Sequence, residues 1–343
     1  MKIIVLMGGN SPERDVSLVS GEAITEGLRQ AGHQVLAVDT ADSWRALPAQ
    51  ARHLTHVIGT RPPDLHELQP IDSERTLKSF ESSDLKDVEV IFLALHGGKG
   101  EDGTIQALLD LTGKPYTGSG VLASAMAMDK NISKKIFERE GILTPRWIYW
   151  DSQNSADFDG FKAESSKLRY PQVVKPNNQG STVGVSVIDE SKQFDQAVEI
   201  AKEFSSQILV EEFIPGREIT VAILDKQPLP VVEIVPEHGI YDYECKYTSG
   251  KSRYICPAEL IDRQTKEVQK AGLRAFQSLG CESYARVDFR MSPEGKFYCL
   301  EVNTLPGMTE HSLVPKAAKA AGMSFPKVVD RIARLAVEKR KQS

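Results

Sequence analysis

Cysteine in pairs is missing from this chain. Its 343 residues hold four cysteines, at 245, 256, 281 and 299, and no CxxC spacing. That argues against a disulfide framework or a cysteine zinc site and suggests reduced thiols, the usage of a cytoplasmic protein. Excess positive charge is also lacking: the formal net charge is −5, which offers no footprint for nucleic acid or an anionic membrane surface. No apolar run approaches the ~20 residues of a membrane span. The short run Ile3–Met7 ends at Gly8-Gly9 and reads as a first strand rather than a signal peptide. The turn that follows, Gly-Gly-Asn-Ser-Pro-Glu13-Arg-Asp, matches neither GxGxxG nor a Walker A loop. Internal repeats and low-complexity tracts are absent. His53, His56 and His66 lie in a polar segment without a supporting Cys or acidic pattern, so they read as a solvated loop and not a metal site.

What remains is the composition of a soluble globular protein, 41% hydrophobic and 26% charged, long enough for two or three domains. Residues 1–118 alternate strand and helix signals: strand 2–7, helix 17–31 ending at Gly32, strand 34–38, and the nearly continuous apolar run 88–95, followed by helix 103–112 stopped at Gly113. This pattern predicts an open, mostly parallel α/β sheet with ligands at the strand C-termini. A helix over about 120–140 leads to Thr144-Pro145. Longer strands then follow at 171–175, 183–188, 207–213, 217–224 and 229–235, with a helix near 190–204. A helix at 262–279 precedes a hairpin, and helices near 312–321 and 325–340 close the chain. The polar stretch 237–256 is long enough for a functional lid.

The hairpin carries the most chemistry. Residues 285–303 read as two strands turning at Pro293-Glu294. If Ser292 pairs with Gly295, Asp288 lies opposite Cys299 and Arg286 opposite Glu301. Residues 286, 288, 299, 301 and 303 then share one face, and Val287, Phe289, Tyr298, Leu300 and Val302 the other. The second face belongs in the core. The first is a hard-oxygen cluster whose burial requires a cation. Diagonal neighbours roughly 7–8 Å apart can converge on Mg²⁺, which takes oxygen ligands and is commonly shared with substrate phosphates.

Other motifs suit an anionic ligand. His96 ends a buried strand and leads into a glycine-rich loop, a position favouring function over core packing. Lys130 belongs to a lysine run whose plainest reading is a solvated helix face. Lys175 interrupts an apolar strand and needs an anion. Beyond it, Asn178-Gln-Gly180-Ser181-Thr offers backbone N–H groups and hydroxyls to phosphates. Glu211 and Glu212 fall on opposite strand faces, so at least one points inward, where glutamates could serve a ribose. Lys246 and Tyr247 sit where a loop could close over a site. The loop after Asn303 offers backbone amides, and Ser312-Leu313 opens a helix whose N-terminus can hold a carboxylate.

Taken together, GGNSPERDVSL, ALHGGKGEDG, PYTGSG, MDK, VVKPNNQGSTVGV, VEEFIPGRE, YDYECKY, ARVDF and LEVNTLPGMTEHSLVP resemble the ATP-grasp superfamily, and within it closely the D-alanine–D-alanine ligases. The motifs fall in the family's order over nearly the whole chain. The resemblance implies an α/β chain (α+β overall) whose N-terminal open parallel α/β domain, 1–118, precedes a two-part ATP-grasp fold of mixed and antiparallel sheets with helices, 119–210 and 211–343. It implies ATP-driven peptide bond formation for peptidoglycan precursors. The first D-alanine carboxylate would attack the γ-phosphate to give an acyl phosphate, and the second amine would displace phosphate through a tetrahedral oxyanion. By motif position, Glu13 would hold the first ammonium, linked to Ser181 and Tyr247, with His96 nearby. Lys130 and Lys175 would contact the ATP phosphates, Lys246 the γ-phosphate, and Glu211, Glu212, Phe213, Ile214 and Glu218 the adenine and ribose. Asp288, Glu301 and Asn303 would ligate two Mg²⁺ ions, with Mn²⁺ able to substitute. Arg286 and the Gly307 N–H would stabilise the oxyanion, and Ser312 and Leu313 would take the second carboxylate. A cytoplasmic homodimer formed through the N-terminal domain is implied as well.

Two features depart from the family pattern: Ser283 stands where glycine is usual, and the segment from about 41 to 88 is longer than its common form. The YDYECKY lid matches the dipeptide-forming branch, which favours D-alanine over D-lactate or D-serine as second substrate. A regulatory protein that binds nucleotide without chemistry is the rival from another class. It would have no need of Glu13 or Arg286.

Overall fold

The computed structural model describes residues 1–41, 45–46, 87–237, 245–246, 248, 250–310 and 312–340, with 45 and 46 described by backbone alone. The expectations for His53, His56, His66 and Tyr247, and for most of 41–88 and of the lid, lie outside the described residues.

The first sheet sets β1 (Lys2–Met7) between two parallel neighbours. Helix α1 (Arg14–Gln30) leads to β2 (Gln34–Asp39) on one side, and β4 (Val90–Leu93) lies on the other. A two-residue strand, β3 (Arg45–Ala46), adds antiparallel to β2 at the edge. Residues 3–7 and all of β4 are buried, as expected of parallel strands covered on both faces, although β4 ends the sheet. Helix α2 (Thr104–Thr112) ends at Gly113, whose φ of 67° supplies the left-handed stop read from the sequence.

The expected helix over 120–140 is two helices, α3 (Val121–Met128) and α4 (Lys130–Arg139). Asp129 breaks them with extended backbone, and its Oδ1 caps the second by accepting the Ile132 N–H at 2.9 Å. Apolar periodicity alone does not reveal the break, because Ala123 and Ala127 of the first helix and Phe137 of the second pack into the same core.

The second sheet is antiparallel, in the order β5 (Trp147–Asp151), β8 (Gln207–Glu212), β6 (Gln172–Pro176), β7 (Ser186–Ile188). Helices α5 (Phe158–Ser165) and α6 (Phe194–Lys202) pack Phe161, Phe194 and Val198 against Val174, Ile208 and Val210. β5 and α5 are absent from the sequence reading: Trp-Ile-Tyr-Trp shows no period of two, and the strand lies at a sheet edge.

The third sheet runs β12 (Ser252–Ile255), β11 (Val232–Pro236), β9 (Arg217–Leu224), β13 (Tyr284–Met291), β14 (Phe297–Asn303), with β10 (Gln227–Pro228) paired to β9. Helix α7 (Asp262–Ser278) buries Val268, Ala275 and Phe276 against Val221, Val287 and Phe289. The end of the expected lid is therefore a strand, with Arg253 paired to Val235.

The closing helices α8 (Leu313–Ala320) and α9 (Phe325–Arg340) return to the first sheet. Val314, Val328, Val329 and Ile332 share a core with Ile3, Val5 and Phe92. Gly27 lets α1 approach α9, since a Cβ there would stand 2.9 Å from the Phe325 ring. Full burial of such apolar side chains contributes roughly 1.5–3 kcal/mol each, so this packing holds the loop from Asn303 to α8 against the N-terminal sheet.

The hairpin corrects the expected register. Ser292 pairs with Lys296 rather than Gly295, its N–H donating to the Lys296 carbonyl at 2.8 Å. Phe289 therefore faces Cys299, and Arg290 faces Tyr298. A bulge between Asp288 and Phe289 then sets Asp288 opposite Glu301 and Arg286 opposite Asn303. The slip and the bulge add to a shift of two residues, one full period of the pleat, so residues 286, 288, 301 and 303 still share a face. Between turn and bulge the expectation fails: Cys299 is fully buried in the core with Phe289, and Leu300 lines the large cavity.

Candidate active site

Cross-strand pairing builds the polar wall. Thr220 of β9 stands opposite Asp288 and Glu218 opposite Arg290, while Glu301 and Asn303 oppose Asp288 and Arg286 from the other side. Their apolar neighbours Ile219, Val221, Val287, Phe289 and Val302 turn into the core. The alternation thus concentrates charge on one face by geometry alone.

The charges on this face are compensated within the protein. Arg286 donates Nε to Asp288 Oδ1 at 2.9 Å and Nη2 to Oδ2 at 2.8 Å, and Thr220 Oγ1 donates to Asp288 Oδ1 at 2.6 Å. Lys130 Nζ lies 3.1 Å from Glu301 Oε2 and 2.7 Å from the Gln179 carbonyl. Burial alone would raise the Glu301 carboxyl, but Lys130, Lys246 and Lys175 draw it down to about 2. Asn303 Oδ1 is buried and has no hydrogen-bond partner among the described residues. Two carboxylates and an orphaned amide oxygen form an all-oxygen donor set, the chemistry a hard divalent cation requires.

The expected ATP-contacting residues come together on one cavity. Lys130, Lys175, Glu211, Glu212, Phe213, Ile214, Glu218 and Lys246 all line it, together with Ser181, Asp288 and Glu301. Lys175 Nζ donates to Glu211 Oε1 at 2.5 Å, so the anion that a buried ammonium needs is supplied within the protein. Burial would raise Glu211, yet Lys134 and Lys175 hold it below the ordinary carboxylate range. Burial raises Glu218, partly offset by Arg290 and Lys246. Burial also lowers the Lys246 ammonium, against the pull of Glu301 and Asp288. The loop over this cavity is strained: Ser181 and Thr182 adopt φ of 49° and 63°, a left-handed backbone costing non-glycine residues about 1 kcal/mol or more each.

A smaller cavity adjoins the first, sharing Lys130, Gln179, Gly180 and Glu301 and adding Glu13, Glu101 and Asn303. Glu13 is seated by close backbone approach, since a Cβ at Gly97 would stand 2.6 Å from its Oε2. Ser181 Oγ donates to Glu13 Oε1, joining the first turn of the chain to the strained loop. Burial raises the Glu13 carboxyl, opposed by the Ser181 hydrogen bond and the Lys246 charge. Glu101 accepts the Gly97 N–H at 3.0 Å and the Leu305 N–H at 3.4 Å. Its burial and the nearby Glu13 charge push it up to about 7. His96 is buried with Nε2 3.2 Å from Ser20 Oγ, and burial pushes its imidazole down to about 4.

His96, Gly307, Ser312 and Leu313 do not line these two cavities. Ser312 Oγ turns back to the Thr309 N–H at 3.0 Å and caps no N–H of α8, although the residue occupies the position before the helix. Leu313 is buried. Three residues of the site escape the sequence reading. Lys134 sits fully buried within a run that reads as a solvated face, and its i+4 spacing from Lys130 was the available clue. Arg290 donates to the carbonyls of Ile214 and Gly216, each at 3.0 Å, and covers the Phe213 ring. Glu101 belongs to the glycine-rich motif after His96, where no local pattern distinguishes it from a solvated loop carboxylate.

Comparison with known proteins identifies the family. Residues 2–119 match the family model for the D-ala D-ala ligase N-terminus, and residues 136–334 the model for the D-ala D-ala ligase C-terminus. A D-alanine–D-alanine ligase of Synechococcus sp. (strain JA-2-3B'a(2-13)) is 42% identical over 340 residues, covering 99% of this chain and 94% of the relative. That of Aquifex aeolicus is 39% identical over 333 residues, covering 97% and 99%. Among solved structures, the Bacillus anthracis ligase complexed with ATP superposes with a TM-score of 0.78 at 33% identity, covering 100% of this chain and 99% of the other. The VanG D-Ala:D-Ser ligase of Enterococcus faecalis also reaches a TM-score of 0.78, at 30% identity, covering 98% and 99%. With both family models matched in sequence order and full-length relatives at this identity, the chain belongs to the D-alanine–D-alanine ligase family.

Proposed function

We propose that this chain joins two D-alanine molecules into D-alanyl-D-alanine at the expense of ATP, for peptidoglycan precursor synthesis. The observation that carries this reading is the junction of the two cavities at Lys130 and Glu301. There a larger cleft lined by three lysines adjoins a pocket holding Glu13, a buried carboxylate suited to an ammonium.

In the first step, a carboxylate oxygen of one D-alanine attacks the γ-phosphorus, ADP departs, and an acyl phosphate forms. Glu13, held by Ser181, binds the ammonium of this D-alanine, while Lys130, Lys175 and Lys246 bind the phosphates. Glu211, Glu212, Phe213, Ile214 and Glu218 form the walls for adenine and ribose. Asp288, Glu301 and Asn303 would hold two Mg²⁺ ions, with Mn²⁺ able to substitute. In the structure Arg286 neutralises Asp288 and Lys130 neutralises Glu301. The ions supply neutralisation of charge on the phosphate oxygens. In the second step, the amine of the other D-alanine attacks the acyl carbon, and phosphate leaves from the tetrahedral intermediate. Arg286 and the Gly307 N–H serve the oxyanion, Tyr247 completes the link with Ser181, His96 stands near the first substrate, and Ser312 and Leu313 receive the second carboxylate.

The same reading assigns 1–118 to a substrate-side domain and dimer interface, and 119–210 and 211–343 to the two ATP-grasp parts, in a cytoplasmic homodimer. Among the described residues no helix is long and apolar enough to cross a membrane. A sedimentation measurement tests the dimer.

Ligation to D-lactate or D-serine is the competing reading, and the likeness to a D-Ala:D-Ser ligase means that fold alone does not separate them. Phosphate release from ATP, followed with D-alanine alone and then with D-lactate or D-serine added across pH, does. D-alanine alone should support full turnover with dipeptide as product. Efficient D-lactate turnover near neutral pH would refute the choice. Arg286→Ala should retain ATP binding and lose roughly 10²–10³-fold in turnover, as expected for an oxyanion donor.

A further inference from the structure

Behind the wall of the larger cavity lies a lysine that the ligation steps above do not use. Lys134 occupies the second turn of α4, four residues after Lys130, and its side chain is fully buried. An ammonium in that position must be paired or it would not remain charged. Its Nζ lies 2.8 Å from Glu211 Oε2 and donates to Thr144 Oγ1 at 2.8 Å. Thr144 Oγ1 donates in turn to the Cys299 carbonyl at 2.8 Å. The Trp147 ring covers the ammonium at 5.6 Å. Glu211 thus stands between two cations, since its other oxygen accepts Lys175 at 2.5 Å. Lys175 and Glu211 reach the cavity, whereas Lys134 is not among its lining residues.

The asymmetry decides what each lysine can do. Lys175 faces the ligand and can exchange its carboxylate for a phosphate oxygen. Lys134 is held by three groups and has no route to the ligand. If Glu211 had only Lys175, withdrawing that lysine toward ATP would leave a buried carboxylate unpaired, which is costly. With Lys134 behind it, the exchange leaves Glu211 still paired. We propose that Lys134 is a positioning residue for ATP: it is the fixed counter-ion of Glu211 that frees Lys175 to engage the nucleotide. Through Thr144 and Cys299 it also ties the wall of that cavity to β14, the strand that carries Glu301. The proposal rests on reading the cavity as the ATP site.

The test uses the full-length enzyme, with ATP affinity measured by calorimetry and KM measured separately for ATP and D-alanine. Lys134→Met should weaken ATP binding and raise its KM about tenfold to hundredfold, leaving the D-alanine KM within about twofold. In a Glu211→Gln background, where no carboxylate needs holding, Lys134→Met should change ATP affinity by less than about twofold. Thr144→Val, a smaller perturbation that keeps the charge, should weaken ATP binding by a few-fold and carries the test if Lys134→Met does not fold. Equal losses for both substrates would overturn the proposal, as would an undiminished effect in the Glu211→Gln background or unchanged ATP affinity in Thr144→Val. Lys175→Ala is the separate control: unchanged ATP affinity there would overturn the reading of the cavity itself, and the proposal with it.

Discussion

Lys130 Nζ stands 3.1 Å from Glu301 Oε2, where the first turn of one helix meets the last strand of the hairpin. The pair lies on the boundary shared by both cavities, so nucleotide and amino acid would meet across it.

Replacing the carboxylate should remove metal affinity while leaving the fold. Glu301→Gln is expected to reduce turnover on the order of 10²-fold or more, in keeping with the several kcal/mol a bound ion supplies to phosphoryl transfer. Mg²⁺ should stabilise the native chain in a thermal shift assay and lose that effect in the variant. An unchanged Mg²⁺ response would remove Glu301 from the metal site.

The contact between Ser181 and Glu13 should act on substrate binding more than on nucleotide binding. Deleting a hydrogen bond to a buried charge typically costs about 1.5–3 kcal/mol. Ser181→Ala should therefore raise the KM for the first D-alanine about tenfold to hundredfold, with the larger effect on D-alanine than on ATP. A pure ATP effect would mean that Ser181 serves the phosphates alone.

Two buried groups should give stability opposite pH slopes. His96 is held at about 4 against an ordinary 6.5, so below pH 6.5 the unfolded chain takes up a proton that the native chain refuses. Stability is lost on that account as pH falls from 6.5 toward 4. Glu101 is held at about 7 against an ordinary 4.5, so the native chain keeps a proton that the unfolded chain releases. Its contribution is lost as pH rises from 4.5 through 7. Each effect is worth roughly 3 kcal/mol over its whole range, and they offset one another between pH 4.5 and 6.5. Glu101→Gln should uncover the histidine slope, with a fall of roughly 2–3 kcal/mol from pH 6.5 to 4.5 in urea titrations. Parallel profiles for native and variant chains would count against the shifted Glu101.

Ser283 occupies a left-handed backbone, φ 62°, and its buried Oγ has no hydrogen-bond partner among the described residues. Glycine relieves both costs, so Ser283→Gly should stabilise the chain by about 1–2 kcal/mol and raise Tm by a few degrees, without changing turnover. A lowered Tm would show that the hydroxyl makes a contact in solution that compensates for the strain.

The N-terminal sheet was legible because β1 and β4 are buried apolar runs and its helices stop at glycines, signals that depend on local sequence. The polar hairpin was legible for a related reason: alternation fixes which residues share a face. Its detail was not, because the turn sets the slip at Ser292 and the pairing of the two hairpin strands skips Leu300, which sends Cys299 inward and Leu300 to the cavity. Lys134 was hidden because a lysine run looks solvated until Glu211, 77 positions later in chain order, is known to stand beside it. Arg290 escaped likewise, since its acceptors are backbone carbonyls with no sequence signature. Long-range partners of charged groups are what local patterns leave out.

The most direct test of the ligation chemistry follows oxygen atoms. With D-alanine labelled at both carboxylate oxygens with ¹⁸O and unlabelled ATP, attack of the carboxylate on the γ-phosphorus transfers one labelled oxygen to the phosphate released with each dipeptide. Mass spectrometry should find one ¹⁸O in every phosphate formed. Dipeptide accompanied by unlabelled phosphate would contradict the acyl phosphate route through this site.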